Sequence, residues 1–432
     1  MKQTFIKDFS KHVDEKVVVK GWVSHLRSSG SIAFVEIRDG SGFVQAVIAK
    51  NAISTEVWAE AEKLTQESAV EFSGTVSRHP KKADVFELQV DDLKIVGGAA
   101  DYPIGNKEHG PDFLMDVRHL WLRSKKQWAI LRIRDVVISA MNEYLHENNY
   151  IKTDSPIFTP NACEGTTTLF AVDYFDLGQA YLSQSGQLYI EAAIASVGRC
   201  YDFGPVFRAE KSKTKRHLTE FWMMDAEAAF MEHDENLAVQ EGLVKHIIKR
   251  CIEKCAVELE ILERKIEPLQ AVVDKPFTRY TYKEAIDKLQ ELGSDIKYGE
   301  DLGNDDEGLL TKGSEVPVFI EKWDKKIKPF YMKIDPTDPT RVLNDDLIAT
   351  EGAGEIIGGS ERERNYDILL ERIREDGLDE KDYDWYLDLR KYGGVPHSGF
   401  GIGLERMVRW VAGVEHIREC IPFPRTINRL RP

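Results

Sequence analysis

The first hundred residues alternate apolar and polar side chains through short segments, and this period-two pattern restricts the fold more than any other feature of the chain. Val17-Val18-Val19-Lys20-Gly21-Trp22-Val23 is expected as one strand, 32–38 as a second and 42–48 as a third. Asp39-Gly40-Ser41-Gly42 joins the last two as a hairpin turn, because Asp-Gly tolerates the positive φ that such a turn requires. A short helix over about 54–65 follows, then strands at 69–76 and 86–95. Strands in that order, with a helix between the third and fourth, have the layout of an OB barrel, which binds oligonucleotides on its face. The layout by itself also fits a small β barrel that binds nothing.

The whole chain has 432 residues, 42% hydrophobic and 30% charged, which leaves ample apolar material for a second, larger core and excludes a disordered class. A segment rich in Gly and Ala, 97–116, is expected as a hinge. Beyond it, 124–147 carries Ile130, Leu131, Ile133, Val136, Val137, Ala140, Met141, Tyr144 and Leu145 at the spacing of a long amphipathic helix. Asn148-Asn149-Tyr150 stops that helix, and a strand interrupted by Pro156 and Pro160 follows. The expected division is therefore 1–97, a hinge 98–116 and a large domain 117–432. No GxGxxG or GxxxxGK[ST] element occurs, so neither Rossmann nor P-loop phosphate binding is indicated.

No run of about 18 apolar residues occurs, so no membrane span is expected. The opening Met1-Lys2-Gln3-Thr4-Phe5 leads into no apolar signal core. Cys163, Cys200, Cys251, Cys255 and Cys420 are scattered, with no neighbouring pair to complete a zinc site. A cytoplasmic protein with reduced thiols is the expectation. A net charge of −15 argues against coating nucleic acid by bulk charge. Basic residues nevertheless outnumber acidic ones eight to five over 1–50, five to two over 204–221 and six to three over 404–432. A polyanion could be held at those faces while the rest of the surface repels it.

Three clusters carry candidate chemistry. In Phe203-Gly204-Pro205-Val206-Phe207-Arg208-Ala209-Glu210, a strand would project Arg208 and Glu210 from one face, with a basic loop and then Arg216-His217-Leu218-Thr219-Glu220-Phe221 returning antiparallel to it. An arginine fork fixes a phosphate or carboxylate bidentately, and an aromatic such as Phe221 can stack on a base. The bland alternative is a solvated charged hairpin. Near the C-terminus, a glycine-rich strand, 399–403, runs into an amphipathic helix whose first turn presents Arg406. Between them lie Asp345-Asp346 and Glu355-Ile356-Ile357-Gly358-Gly359-Ser360-Glu361-Arg362. Carboxylates of this kind meet a bound nucleotide through Mg²⁺.

In this order, the clusters resemble those of class II aminoacyl-tRNA synthetases of the aspartate, asparagine and lysine subgroup, and the resemblance covers essentially the whole chain. Tyr150 through Pro156-Ile157-Phe158-Thr159-Pro160 is similar to the family's first motif, which forms the dimer interface. Phe207 through Phe221 resembles the second motif and 401–406 the third. The resemblance implies an α+β fold, an N-terminal OB-fold barrel that reads the anticodon and a catalytic domain built on an antiparallel sheet flanked by helices. It implies activation of an amino acid by ATP to an aminoacyl adenylate, transfer to the terminal ribose of a tRNA, and a homodimer.

By the same resemblance, Arg208 and Arg406 are the catalytic residues. Arg208 would hold the α-phosphate and the substrate carboxylate, and Arg406 would clamp the γ-phosphate. Glu210 would read the adenine amino group and Phe221 would stack on the ring, while Arg216 and His217 would reach the outer phosphates. Leu218, Gly403 and Glu405 complete the expected ATP site. Glu355 and Asp346 would hold Mg²⁺, although the family usually spaces these acids slightly closer and the aspartyl enzymes often have Ser where this chain has Gly358.

The amino-acid site is expected from Glu164, Gln187, Glu191, Arg208 and Arg362. Glu164, in Cys163-Glu164-Gly165-Thr166, resembles the loop glutamate that pairs the α-ammonium group. Ser183-Gln184-Ser185-Gly186-Gln187-Leu188-Tyr189-Ile190-Glu191 resembles a strand and turn beneath the substrate side chain. Aspartyl enzymes carry a lysine where Ile190 stands. One arginine with a carboxylate and no lysine suits an amide, with Arg362 donating to its carbonyl and Glu191 accepting from its NH₂. L-Asparagine and tRNA-Asn are therefore the expected substrates. In the barrel, Phe34, Arg38 and Gln45 resemble the anticodon-reading set. The alternatives are aspartate activation, which Ile190 opposes; an asparagine synthetase on the same fold, which would need no barrel; and a binding module that has lost catalysis, which the joint presence of Arg208, Glu210, Glu355 and Arg406 opposes.

Overall fold

The period-two segments become a closed barrel. Its strands are Lys16–Ser29, Ile32–Arg38, Phe43–Ala49, Ala69–Arg78 and Phe86–Gly97. The computed structural model describes residues 2–82, 84–105, 107–163, 169–212 and 214–432. The first three barrel strands form an antiparallel meander. The third pairs in parallel with Phe86–Gly97, which pairs with Ala69–Arg78, and that strand returns to Lys16–Ser29 to close the ring. Alternate residues Val17, Val19, Val35, Ile37, Ala46, Ile48, Phe72 and Leu88 point inward and are buried, each of the larger side chains contributing about 1.5–3 kcal/mol on transfer from water. Gly40 takes φ 86° in the hairpin turn, and the Asp39 carboxylate accepts the amides of Ser41 and Gly42 there. The helix between third and fourth strands is Thr55–Ala61, capped by Ser54, whose side chain accepts from the Val57 amide.

Packing divides the chain into Met1–Ser124 and Lys125–Pro432. The segment expected as a hinge, 98–116, ends in a short helix, Pro111–Asp116. Among the described residues, the larger unit is built on a sheet of nine strands. Its central run is Val318–Glu321, Asn344–Ala349, Gly354–Glu361, His397–Gly403 and Glu220–Ala229, all antiparallel. Parallel pairs flank that run: Thr278–Thr281 beside Val318–Glu321, and Ile151–Lys152 beside Arg199–Tyr201. One face is covered by the helices Lys125–Glu147, His233–Lys254 and Leu404–Ala412. Ile133, Val137 and Met141 of the first meet Leu243, Ile247 and Ile248 of the second and Met224, Ile357 and Phe400 of the sheet in one core. Residues of alternate parity on the same strands, Met223, Asp225, Gly358 and Gly401, face a cavity on the other side.

The stretch expected as a strand and turn over 183–191 is different. The strand is Gln179–Leu182, and Gln187–Val197 is a helix. Gln187, Leu188, Ile190, Glu191 and Ile194 are its buried positions, a three-and-four spacing that suits one face of a helix. Among the described residues, no helix is long and apolar enough to cross a membrane.

Candidate active site

Arg208 follows the strand Gly204–Phe207, which runs antiparallel to Glu220–Ala229 with Phe207 opposite Glu220. The Arg208 amide donates to the Thr219 carbonyl at 3.0 Å, and its guanidinium lies 5.5 Å from the centre of the Phe221 ring. The hairpin thus places Arg208, Glu210, Arg216, His217, Leu218 and Phe221 along one wall of a cavity of about 320 Å³. Gly403, Glu405 and Arg406, from the junction of His397–Gly403 with its helix, form a second wall, and Asp346, Glu355 and Arg362 a third. Gln187 lines the same cavity from the first turn of its helix.

A β-bulge brings Glu355 into this set. Leu347 pairs with Ile357 but Ile348 pairs with Glu355, so Ile356 is the extra residue. A regular strand would point Glu355 and Gly358, three apart, to opposite faces; the bulge re-aims the glutamate. A Cβ on Gly358 would lie 3.4 Å from Glu355 Oε1 and 3.7 Å from Asp346 Oδ1. The two carboxylates therefore converge over a backbone that carries no side chain. Arg406 Nη1 donates to the Glu355 carbonyl at 2.7 Å and stands 3.5 Å from its Oε2. The other oxygen of Asp346 is taken by Lys328, whose Nζ donates to Oδ2 at 2.6 Å. Burial pushes the Asp346 carboxyl up to about 7, with the Glu355 charge adding to it and Lys328 opposing.

Several expected ATP contacts are engaged within the protein. Arg216 donates to Asn304 Oδ1 at 2.9 Å, to Glu307 Oε2 at 2.5 Å and to the Gly352 carbonyl at 2.9 Å. His217 Nδ1 meets the hydroxyls of Ser212 and Thr214, and burial beside Arg406 lowers its pKa. Glu405 accepts from Arg134 Nη1 at 2.7 Å and from the Trp222 amide at 3.0 Å. Both of its oxygens serve the fold. Lys328, Asp301 and Glu307 also line the cavity. No motif marked them, because they come from irregular or short segments between the sheet strands.

The amino-acid end departs from expectation at one residue. Glu191 does not reach the cavity: it is enclosed by Tyr386, Arg390 and His397. The carboxylate beside Arg362 is Glu227, on the strand Glu220–Ala229. Arg362 Nε donates to Glu227 Oε1 at 2.9 Å and Nη2 donates to the same oxygen. Glu227 Oε2 is buried with no hydrogen-bond partner among the described residues. Gly399 stands opposite Glu227, and a Cβ there would collide with this carboxylate. Asp225, one pleat away, turns its Oδ2 to Ser185 Oγ and the Gly186 amide, both at 2.9 Å, and lines the cavity. Sequence reasoning passed over both acids, since Met-Met-Asp-Ala-Glu-Ala-Ala reads as an ordinary strand; strict alternation from Phe221 would have put Asp225 and Glu227 on its face. Glu164 lies outside the described residues.

In the barrel, Phe34 and Gln45 share an outer face. Arg27, opposite Phe34 on the neighbouring strand, sets its guanidinium 5.0 Å from the ring centre and donates to Gln45 Oε1 at 3.2 Å. Gln45 Nε2 donates to Glu87 at 2.7 Å. Arg38 is not part of this group. It is buried in a two-pronged pair with Glu67 at 2.7 and 2.5 Å. Arg27, which is exposed, stands on this face instead.

Residues 110–427 match the family model of tRNA synthetases class II (D, K and N), and residues 17–96 match that of the OB-fold nucleic acid binding domain. The chain belongs to the class II tRNA synthetases of this D, K and N family. It is 52% identical over 427 residues to the asparagine–tRNA ligase of Lactobacillus johnsonii, covering 99% of each chain. It is 48% identical over 437 residues to that of Thermus thermophilus, covering 100% of both. The crystal structure of asparaginyl-tRNA synthetase from Pyrococcus horikoshii complexed with asparaginyl-adenylate superposes with a TM-score of 0.95 at 43% identity, over 100% of both chains.

Proposed function

We propose that this enzyme joins L-asparagine to tRNA-Asn, using ATP and passing through an asparaginyl adenylate. The feature on which the choice of amino acid rests is the pair Arg362–Glu227: Arg362 lines the cavity and would donate to the amide carbonyl, and Glu227 Oε2, buried beside it with no partner among the described residues, would accept from the amide NH₂. A substrate carboxylate would set a second anion against Glu227 in a buried site, and leaving such a group unpaired or repelled costs about 2–5 kcal/mol. Asp225 and Gln187 supply acceptors for the α-ammonium group.

Arg208 bridges the two ends of the cavity, where it binds the α-phosphate and the attacking carboxylate and stabilises the charge that grows as pyrophosphate leaves. Phe221 gives adenine a stacking face, and Glu210 reads its amino group. Arg406 and His217 face the outer phosphates, and Arg216 joins them by exchanging Glu307 for phosphate. Asp346 Oδ1 and Glu355 Oε1 suit one hard cation that keeps most of its waters, so they would hold Mg²⁺. The ion neutralises phosphate charge when bound.

The barrel face of Phe34, Arg27 and Gln45 stacks and reads anticodon bases. A homodimer is supported by the exposed Ile151, Ile157 and Phe158 beside Pro156 and Pro160. A cytoplasmic location agrees with five buried cysteines, none of them in a disulfide. The division 1–97, 98–116 and 117–432 is retained as the functional one. ATP–pyrophosphate exchange with each amino acid in turn tests the reading: asparagine alone should drive it, and exchange driven by aspartate would refute it.

A further inference from the structure

Glu191 does not line the cavity, yet its carboxylate meets four polar side chains among the described residues. Its side chain is fully buried. Tyr386 Oη stands 2.8 and 2.7 Å from its two oxygens, Arg390 Nη2 donates to Oε2 at 2.9 Å, and His397 Nε2 lies 3.0 Å from Oε2. These donors come from the helix Asp384–Lys391 and the strand His397–Gly403. On the remaining side, Gln187 Nε2 donates to Glu191 Oε1 at 3.1 Å. Arg362 Nε stands 3.9 Å from the same oxygen.

An ionised carboxylate only accepts hydrogen bonds. The contact therefore fixes which way the Gln187 amide points: its NH₂ faces Glu191, which turns its carbonyl oxygen away from Glu191 on a residue that lines the cavity. An amide free to flip would present NH₂ there half the time, against the positive end of an amino acid.

We propose that Glu191 is a positioning residue for substrate binding: anchored by Tyr386, Arg390 and His397, it holds the Gln187 amide with its carbonyl oxygen toward the amino acid. The inference rests on the cavity being an amino-acid-activating site. It reassigns Glu191 from a contact with the substrate side chain to control of the residue that meets the substrate.

Polarity can be reversed at this contact. In Glu191→Gln, the new amide oxygen is claimed by Arg390, His397 and Tyr386, so its NH₂ turns to Gln187. Gln187 must then flip and offer NH₂ to the substrate. In the swap Gln187→Glu with Glu191→Gln, the reversed hydrogen bond is kept, with the new amide at position 191 donating, and a carboxylate oxygen in place of NH₂ again faces the cavity.

The experiment is pyrophosphate exchange with the full-length enzyme, varying amino acid and ATP separately. For Glu191→Gln, the amino-acid KM should rise at least tenfold while the KM for ATP stays within twofold. The swap should recover most of that loss. An unchanged amino-acid KM, an equal rise in both KM values, or no recovery in the swap would overturn the proposal. Failure of both variants to fold, judged by circular dichroism, would also overturn it, because Glu191 would then serve the core alone. The amino acid used is whichever one wild type activates. If that is not asparagine, the reading of specificity fails, while Glu191 still stands or falls on the split between the two KM values.

Discussion

Arg362 and Glu227 meet through a single carboxylate oxygen. Both guanidinium nitrogens, Nε and Nη2, donate to Oε1, and Oε2 stays buried without a partner among the described residues. Arg362 Nη1 is fixed separately by Ser360 Oγ at 2.7 Å. Arg362 lines the cavity, and Glu227 stands beside it as an acceptor already held in place; on the proposed reading the pair complements a primary amide.

Glu227→Gln should abolish the preference for asparagine over aspartate. Removing a charged acceptor from a buried amide contact costs about 2–3 kcal/mol, roughly a hundredfold in kcat/KM for asparagine. The ratio of kcat/KM values for the two amino acids in pyrophosphate exchange measures it. A ratio equal to wild type would place discrimination elsewhere.

The same carboxyl predicts a pH dependence. Burial, helped by the Glu191 charge and opposed by Arg362, pushes Glu227 up to about 7. Below that pH it gains a proton and Oε2 can donate; above it, Oε2 accepts. The asparagine-to-aspartate ratio of kcat/KM should therefore fall on acidification below pH 7 and level off above it. A ratio that stays flat between pH 6 and 8 would contradict this.

Arg208→Ala should leave the fold intact and reduce pyrophosphate exchange by roughly a hundred- to a thousandfold, about 3–4 kcal/mol, because a fixed cation is lost where charge develops. Near-normal exchange would show that the α-phosphate lies elsewhere.

Arg27→Ala and Phe34→Ala should each spare exchange but weaken tRNA charging, with stacking worth about 1–3 kcal/mol per base. Arg38→Ala should act differently: among the described residues it leaves the buried Glu67 with Arg123 alone as side-chain partner and should lower thermal stability. Loss of exchange in either Phe34 or Arg27 variant would mean that the barrel face also serves activation.

Arg134→Met should destabilise the larger unit by about 3–5 kcal/mol, since it strands the buried Glu405 carboxylate. Denaturant unfolding reads the loss. A shift only in the KM for ATP, with stability unchanged, would return Glu405 to the nucleotide.

The sequence by itself determined the barrel, the long helix Lys125–Glu147 and the hairpin that carries Arg208, since each rests on local periodicity or a turn whose residues are adjacent in the chain. It also identified Arg362, Arg406, Asp346 and Glu355, which line one cavity. Tertiary structure decided which carboxylate stands beside Arg362. Glu191 and Glu227 are both acids on apolar-rich segments, and only pairing across the sheet, with Gly399 making room, puts Glu227 there and leaves Glu191 behind it. Arg27 and Arg38 belong to the same case, because an ion pair with Glu67, distant in sequence, removes Arg38 from the barrel face. The bulge at Ile356 completes the set. Local pattern fixes backbone form, but the face a charged side chain serves depends on partners that the chain brings together only when it folds.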